Sequence, residues 1–574
     1  MKEFHPFRLD AADQSLWRDG RRVPLTPKAF AVLQYLVDRA GRLVTQRELL
    51  DALWPNTFVQ PEVLKSQVVD VRTALGDRPK NPLYIETVPR RGYRFIARVS
   101  DVEDGHQAVA VASTAAARLD PARIAVLPFV NMSADPENEY FSDGLTEELI
   151  NCLAGVSSLQ VVARTSVFQF KGINRDIRSI GSQLNVGTIL EGSVRRAADQ
   201  LRVTAQLIDV ESGSHLFSKT YQREFKDVFQ LQDDIAQAVT AEIAPVGTAA
   251  PAVRLESRTD NLDAYNAYLR GVYAMSNRFG DLAKSVEYFR EALAFDPRYA
   301  PAWAGMAHTY FILAWFYLAP PDSVMPLSKL AALKARELEP DSSHGLVALG
   351  VSEGGTDWQW RAAESSFRRA LDLQPADAQA HVWFTFFCLL PQRRNQEAID
   401  LMEKAVGLDP LNPMFRAGLI YLYGVSGRYE NAVREYSIAR NIAPEYGPTH
   451  VAAGVAFECC GHVEEAIPIY RLGCELAANG PYAISSLGHA LASTGQEEEP
   501  LRIIDALQAA PIRTEPEIAR VFWGLGREDL TLVWLERGLE RRSLYLLRTV
   551  DDPRFDPLRT HPRFQAILAR MGLQ

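Results

Sequence analysis

One period dominates the chain from residue 262 onward. The pattern Ala-x4-Pro recurs as Ala292…Pro297, Ala335…Pro340, Ala370…Pro375, Ala405…Pro410 and Ala439…Pro444, with the prolines 43, 35, 35 and 34 residues apart. Three residues before each alanine stands Phe289, Ala332, Phe367, Met402 or Tyr436, and Ala398, Ala432 and Ala466 supply a small position earlier in the same stretch. Trp303, Met306, Ala307 and Tyr310 add the i, i+3, i+4, i+7 stripe of an amphipathic helix. Small residues let two helices approach, large ones fill the gap, and proline, which cannot continue a helix, turns the chain into the next unit. A helix pair of this size buries its apolar face only on its neighbours, so the period requires a stacked array rather than one globular core.

These positions match the tetratricopeptide (TPR) signature. The resemblance implies an all-α solenoid over residues 262–574: about six repeats, then degenerate helical units. Pro500 sits where the seventh repeat should have a small residue. The stretches Trp534 to Leu539 and Phe564-Gln565-Ala566-Ile567-Leu568 are expected to cap the end. Aromatic residues at this spacing read as core. Such an array presents a concave groove to an extended peptide or a partner helix.

The first 98 residues differ in charge from the rest. They hold 17 Lys and Arg against 11 Asp and Glu, a net of +6, whereas the remainder carries 45 against 60, a net of −15. A basic head on an acidic body suits a nucleic-acid-binding module joined to something else. Its strands are predicted at Phe4 to Leu9, Ser15 to Arg18 and Val23 to Leu25. Thr26-Pro27 starts a first helix with Phe30, Leu33, Leu36 and Val37 inward, ending near Gly41. Thr45-Gln46-Arg47-Glu48 is a capping box for a second helix with Leu49, Leu50 and Leu53 inward. A third, about Pro61 to Leu75, buries Leu64, Val68, Val71 and Leu75. Its other face carries Lys65, Ser66, Val69 and Asp70, with Gln67 and Arg72 at the margins. Thr87-Val88-Pro89-Arg90-Arg91-Gly92-Tyr93-Arg94-Phe95 then forms a hairpin tip rich in arginine, where Gly92 can take φ > 0.

Leu25-Thr26-Pro27-Lys28, Arg47-Glu48-Leu49-Leu50…Leu53-Trp54-Pro55, Val71-Arg72-Thr73-Ala74-Leu75-Gly76-Asp77 and the segment Ile85 to Phe95 together resemble the OmpR/PhoB-type winged helix-turn-helix, in the branch of the ToxR and CadC regulators. That resemblance implies a third helix in the major groove of double-stranded DNA and a wing on the minor groove or backbone. The residues expected to contact DNA are Lys65, Ser66, Gln67, Arg72, Arg90, Arg91 and Arg94. Val69 and Asp70 stand where the phosphorylated response regulators often carry bases, which shifts the contact set toward the wing. No receiver domain is expected before the winged helix, so aspartyl phosphorylation within this chain is not the expected control.

Residues 99–122 lack apolar periodicity and read as a linker. Between 123 and 243 the order is strand, helix, strand, helix, three strands and a helix. This reads as an α/β sandwich with helices on one face. Ala125-Val126-Leu127-Pro128-Phe129, Phe141 to Leu149 and Ile189 to Val194 resemble the TolB N-terminal domain. Asp143, Glu147, Glu148 and Glu191 show no convergence in sequence, and Asp143 reads as an anchor for the first amides of a helix starting at Thr146. A second linker is expected at 244–261.

The chain is thus expected to be multidomain, α+β and all-α. The five cysteines (Cys152, Cys388, Cys459, Cys460, Cys474) show no CxxC and read as inert thiols in a reducing cytoplasm. No apolar run reaches the roughly 18–20 residues that span a bilayer. No nucleotide-binding, zinc-protease or nucleophile motif is present, so no catalytic residue, cofactor or metal is expected and the chain reads as a non-enzyme. The function that follows is a cytoplasmic, bacterial, sequence-specific DNA-binding transcriptional regulator whose TPR array receives a protein or peptide signal. RNA polymerase and a second copy on DNA are further candidate partners. The alternative is a TPR scaffold whose winged-helix module makes protein contacts.

Overall fold

The computed structural model describes residues 2–573 apart from 5–6, 11–14, 19–20, 24–26, 54–63, 65–66, 69–70, 73, 76, 78–81, 89–90, 98, 102–119, 134, 136–137, 157, 174, 198, 244–258 and 277–281. The chain divides into two compact units, Met1–Ala117 and Arg118–Gln574.

In the first unit, four short strands form a meander: β1 (Lys2–Phe4), β2 (Phe7–Asp10), β3 (Ser15–Arg18) and β4 (Arg21–Val23). The single strand expected over Phe4 to Leu9 is two, β1 and β2, which pair antiparallel with Phe4 opposite Phe7. Helix α1 (Pro27–Val37) follows, then β5 (Leu43–Thr45) and α2 (Gln46–Leu53). Gly41 takes the left-handed φ of +80° that closes α1. The hydroxyl half of the capping box forms, the Thr45 hydroxyl accepting from the Glu48 amide at 3.1 Å, while the Glu48 carboxylate accepts from Arg42 at 3.1 Å. A third helix, α3, has its described residues between 64 and 75. The wing is β6 (Ile85–Val88) and β7 (Gly92–Phe95), with β5 paired to β7 on its other edge. The predicted linker begins inside the fold, because β8 (Ser100–Asp101) pairs with β1. The core joins Phe4, Phe7, Phe30, Leu33, Leu36, Val68, Val71 and Phe95.

The second unit opens with a six-stranded mixed sheet. Its strands are β9 (Arg123–Val126), β10 (Val130–Asn131), β11 (Gln160–Val161), β12 (Thr188–Ala197), β13 (Gln200–Asp209) and β14 (His215–Glu224). The order is β11-β9-β12-β13-β14, with β10 also on β12; β11, β9 and β12 run parallel and the last three form the predicted meander. Helices α4 (Glu139–Ala154), α5 (Arg164–Val167), α6 (Ile177–Leu184) and α7 (Val228–Ile243) complete it. Alternate residues Leu201, Val203, Ala205 and Leu207 of β13 are buried, while Thr204 and Gln206 face outward and bond across to Thr220 and Ser218 of β14. Gly192 is required where β12 passes Phe129: a Cβ there would stand 1.8 Å from the ring.

Eight antiparallel helix pairs follow among the described residues, from α8 (Leu262–Ser276) with Leu282–Phe295 to Glu515–Gly524 with Glu528–Glu540. Every signature alanine (Ala292, Ala335, Ala370, Ala405, Ala439) is fully buried, and each signature proline lies two residues beyond the end of a second helix. The wider first spacing is filled by two long helices, Ala300–Trp315 and Pro321–Leu338. Small and large residues interlock as the pattern requires: Gly454 lies against the Tyr470 ring and Gly350 against Phe367. Pro500 falls at the third residue of Glu498–Ala509, where no intrahelical amide is needed.

The α/β layer and the array pack as one body. Tyr140 donates to Asn266 at 2.6 Å, Gln232 donates to Tyr265 at 2.7 Å, and Gly144 admits Leu269 of α8 against α4. The expected second linker reaches only partway: Thr259 donates to Asp296 and Asn261 caps α8. Ser166 donates to Asp409, whose carboxyl is raised to about 6 by burial against opposing hydrogen bonds from Ser166 and Asn412.

The C-terminal residues depart from their predicted role. Instead of closing only the last repeat, 544–573 fold back through the inside of the array. Tyr545 donates to the Ala314 carbonyl at 2.7 Å, Asp556 meets Arg393 at 2.8 Å, and the Met571 carbonyl accepts from Trp360 Nε1 at 2.6 Å. The superhelical curvature of stacked pairs brings sequence-distant first helices around one axis, which a linear repeat pattern does not reveal.

Candidate nucleic-acid interface

On α3 the inward residues are those the period selects: Leu64, Val68, Val71 and Leu75 are buried. Arg72 joins them, 8% exposed. Its guanidinium donates to the Ile85 carbonyl at 2.7 Å and to the Thr87 hydroxyl at 2.8 Å. The expectation that Arg72 donates to DNA is therefore corrected: its side chain ties α3 to the first strand of the wing. The signal was present, since Leu64, Val68 and Arg72 lie four residues apart along one line of the helix.

Asp77, which pattern reading passed over except as part of a motif, forms the second half of this clamp. Its carboxylate accepts from the amides of Leu83 at 2.6 Å and Ile85 at 2.8 Å, and its own amide donates to the Arg72 carbonyl at 2.9 Å. It is 7% exposed. Helix end and wing strand are thus fixed together by an arginine and an aspartate that each satisfy backbone groups.

Gly92 is also corrected. It does not take a left-handed φ. It begins β7 at the place where β5 crosses closest, and a Cβ would stand 2.0 Å from the Val44 carbonyl oxygen. Close backbone approach, rather than turn geometry, demands glycine here. Arg91 holds the turn by its backbone: its amide donates to Val88 at 3.1 Å and its carbonyl accepts from Gln46 at 3.2 Å. Its side chain is exposed. Arg94 sits directly across from Glu86 and donates to it at 3.1 Å, with both side chains about two-fifths exposed. An ion pair that open is worth roughly 0–1 kcal/mol and exchanges readily for another anion. Gln67 lies half-buried on α3. Lys65, Ser66 and Arg90, with Val69 and Asp70, lie outside the described residues.

Two carboxylates of the α/β layer, Asp143 and Glu147, are held by cations. Asp143 lies inside α4 rather than before it, 4% exposed, and both its oxygens accept from Lys171 at 2.6 and 2.7 Å. Burial raises Asp143, with Lys171 opposing, and burial likewise raises Glu147 against Arg164 at 2.9 Å.

Residues 20–95 match the family model "Transcriptional regulatory protein, C terminal". The N-terminal module is an OmpR/PhoB-type winged helix. Residues 120–238, the stretch with the TolB-like sequence resemblance, match "HilA/YgeH-like transcriptional regulator, second domain". Among curated relatives, the putative adenylate cyclase 3 of Rhizobium meliloti is 38% identical over 239 residues, covering 40% of each chain. The transcriptional regulator HilA of Salmonella typhi is 24% identical over 410 residues, 69% of each chain. The transcriptional regulatory protein CutR of Streptomyces coelicolor is 39% identical over 89 residues, 15% of this chain and 39% of CutR. The chain thus spans well under half the length of the cyclase-named relative and about two thirds of HilA. No helix among the described residues is long and apolar enough to cross a membrane.

Proposed function

We propose that this chain is a sequence-specific DNA-binding transcriptional regulator whose TPR array receives a protein signal. The observation that carries the reading is the wing: an exposed Arg91 at its turn and an exchangeable Arg94 on β7, whose partner strand β6 is clamped to α3 by Arg72 and Asp77. A groove-reading helix and a phosphate-contacting wing must hold a fixed spacing, and this clamp supplies it. Lys65, Ser66 and Gln67 of the helix and Arg90, Arg91 and Arg94 of the wing are the proposed contacts. Regulator-family matches over both N-terminal stretches support the same reading.

The test combines genome-wide mapping of bound DNA with a salt titration on a recovered site. Phosphate neutralisation gives a steep fall of affinity with salt. A flat response, or full binding by an Arg91→Ala/Arg94→Ala double variant, overturns the reading. Wing variants are expected to lose more affinity than Lys65→Ala. RNA polymerase and a second copy on paired half-sites are the proposed further partners. The name of the cyclase relative raises an enzymatic reading. With Asp143 and Glu147 each neutralised by a cation, we propose that the chain is not an enzyme, and nucleotide turnover by the purified protein would refute that.

A further inference from the structure

The inner surface of a repeat array is where an extended partner docks. In this chain that surface is taken by its own residues 544–573, and the contact has the anatomy of a bound ligand. The array contributes Glu458 and Arg520; the segment contributes Arg554 and Asp552. Arg554 donates to Glu458 at 2.6 Å and to Asp552 at 2.6 Å, with its side chain 5% exposed. Glu458 is held in place from the array side by His489 at 2.6 Å and the Tyr470 hydroxyl at 2.7 Å. Fully buried Arg520 donates to the segment's Arg548 carbonyl at 3.0 Å and lies 3.8 Å from Asp552. Phe555 stacks on Trp523, whose indole donates to the Arg554 carbonyl at 2.6 Å.

Three charges of the segment thus meet an opposite charge in the groove: Arg554 meets Glu458, Asp556 meets Arg393, and Asp552 lies 3.8 Å from Arg520. Buried pairs of this kind specify register more than they add net stability, because desolvation offsets their attraction. The tether is short and sits at the surface: Arg541 and Arg542 are exposed, and Arg542 has a φ of +51°, a conformation that non-glycine residues rarely adopt.

We propose that residues 544–573 are an internal ligand of the array. The signal is a protein segment carrying the same order of groups, an acidic residue, one spacer, arginine and an aromatic, and it takes the groove by displacing them. This rests on the reading of the array as the receiver of a signal. The covalent tether supplies an effective concentration in the millimolar range, which keeps the groove closed to weak competitors.

The experiment uses the full chain with a specific protease site inserted between Arg542 and Ser543, and a fluorescein-labelled synthetic peptide spanning residues 544–573 as probe. Uncut, the protein binds the probe poorly. Cutting the tether is expected to raise apparent affinity by about 10²–10⁴-fold, read by anisotropy, with unlabelled peptide competing and an Arg554→Glu peptide failing to compete. Loss of helical circular dichroism on cutting, no exchange of the fragment, or equal competition by the Arg554→Glu peptide each overturns the proposal. In the uncut chain, Arg554→Glu is expected to increase hydrogen exchange across 544–573 at unchanged helix content; unchanged protection overturns it as well. None of these readouts involves DNA, so failure of the regulator reading would leave them intact, and the reverse holds too.

Discussion

The arginines of the wing and those of the array's interior are the same side chain put to opposite uses. Arg91 is exposed and Arg94 shares an open pair with Glu86, so either can trade its present surroundings for a phosphate at small cost. Arg520 and Arg554 are buried among carboxylates, carbonyls and aromatic rings, and losing one strands a charge in a dry interior. Arg72 lies in the winged helix yet behaves like the second group. Burial of the head group, rather than the module a residue belongs to, decides whether an arginine can bind a ligand or must hold the fold.

The largest effect should come from the array. Arg554→Ala is expected to cost about 3–5 kcal/mol, because Glu458 and Asp552 lose their shared partner inside the fold. Thermal unfolding followed by circular dichroism checks it; a cost below that of an ordinary surface change would break the contrast. Next, Arg72→Ala should lower the stability of the winged helix by about 1–3 kcal/mol through the orphaned Ile85 carbonyl, while leaving the salt slope of DNA binding unchanged. Arg91→Ala should do the reverse, with stability changed by less than about 0.5 kcal/mol and the slope reduced by about 1. If Arg72→Ala changes the slope and Arg91→Ala does not, the two residues have been assigned the wrong way round.

A further effect is one of pH. Burial and the neighbouring Asp552 carboxylate raise Asp551 to about 7 from an ordinary 3.8. The folded state therefore holds this proton more tightly than the unfolded chain does, and the array loses stability as pH rises from about 4 to about 7. Asp551→Asn should flatten the melting temperature across that window and raise it at its alkaline end. A variant that keeps the wild-type slope would place the sensitivity elsewhere, with Asp409, raised to about 6, the next residue to change.

Much of the architecture was legible in the chain. Helix periodicity picked out Leu64, Val68, Val71 and Leu75, the capping box placed the start of α2, and the Ala-x4-Pro period located every second-helix end from Phe295 to Ile442. These are local rules, in which a residue's neighbours three or four positions away decide its environment. The misreadings share the opposite character. Gly92 is needed because Val44 passes close by, Arg72 is withdrawn because Ile85 and Thr87 accept from it, and Asp143 is paired with a lysine 28 residues on.

The amino-acid sequence alone determined that the chain would build a basic winged helix, an α/β layer and a helical array, because capping, periodicity and net charge act over a few residues or simply add. Tertiary structure alone decided which arginines remain available to DNA and that the groove of the array already has an occupant. Both depend on curvature and close approach between segments far apart in the chain. Arg554 meets Glu458 across 96 residues, and Tyr545 meets Ala314 across 231.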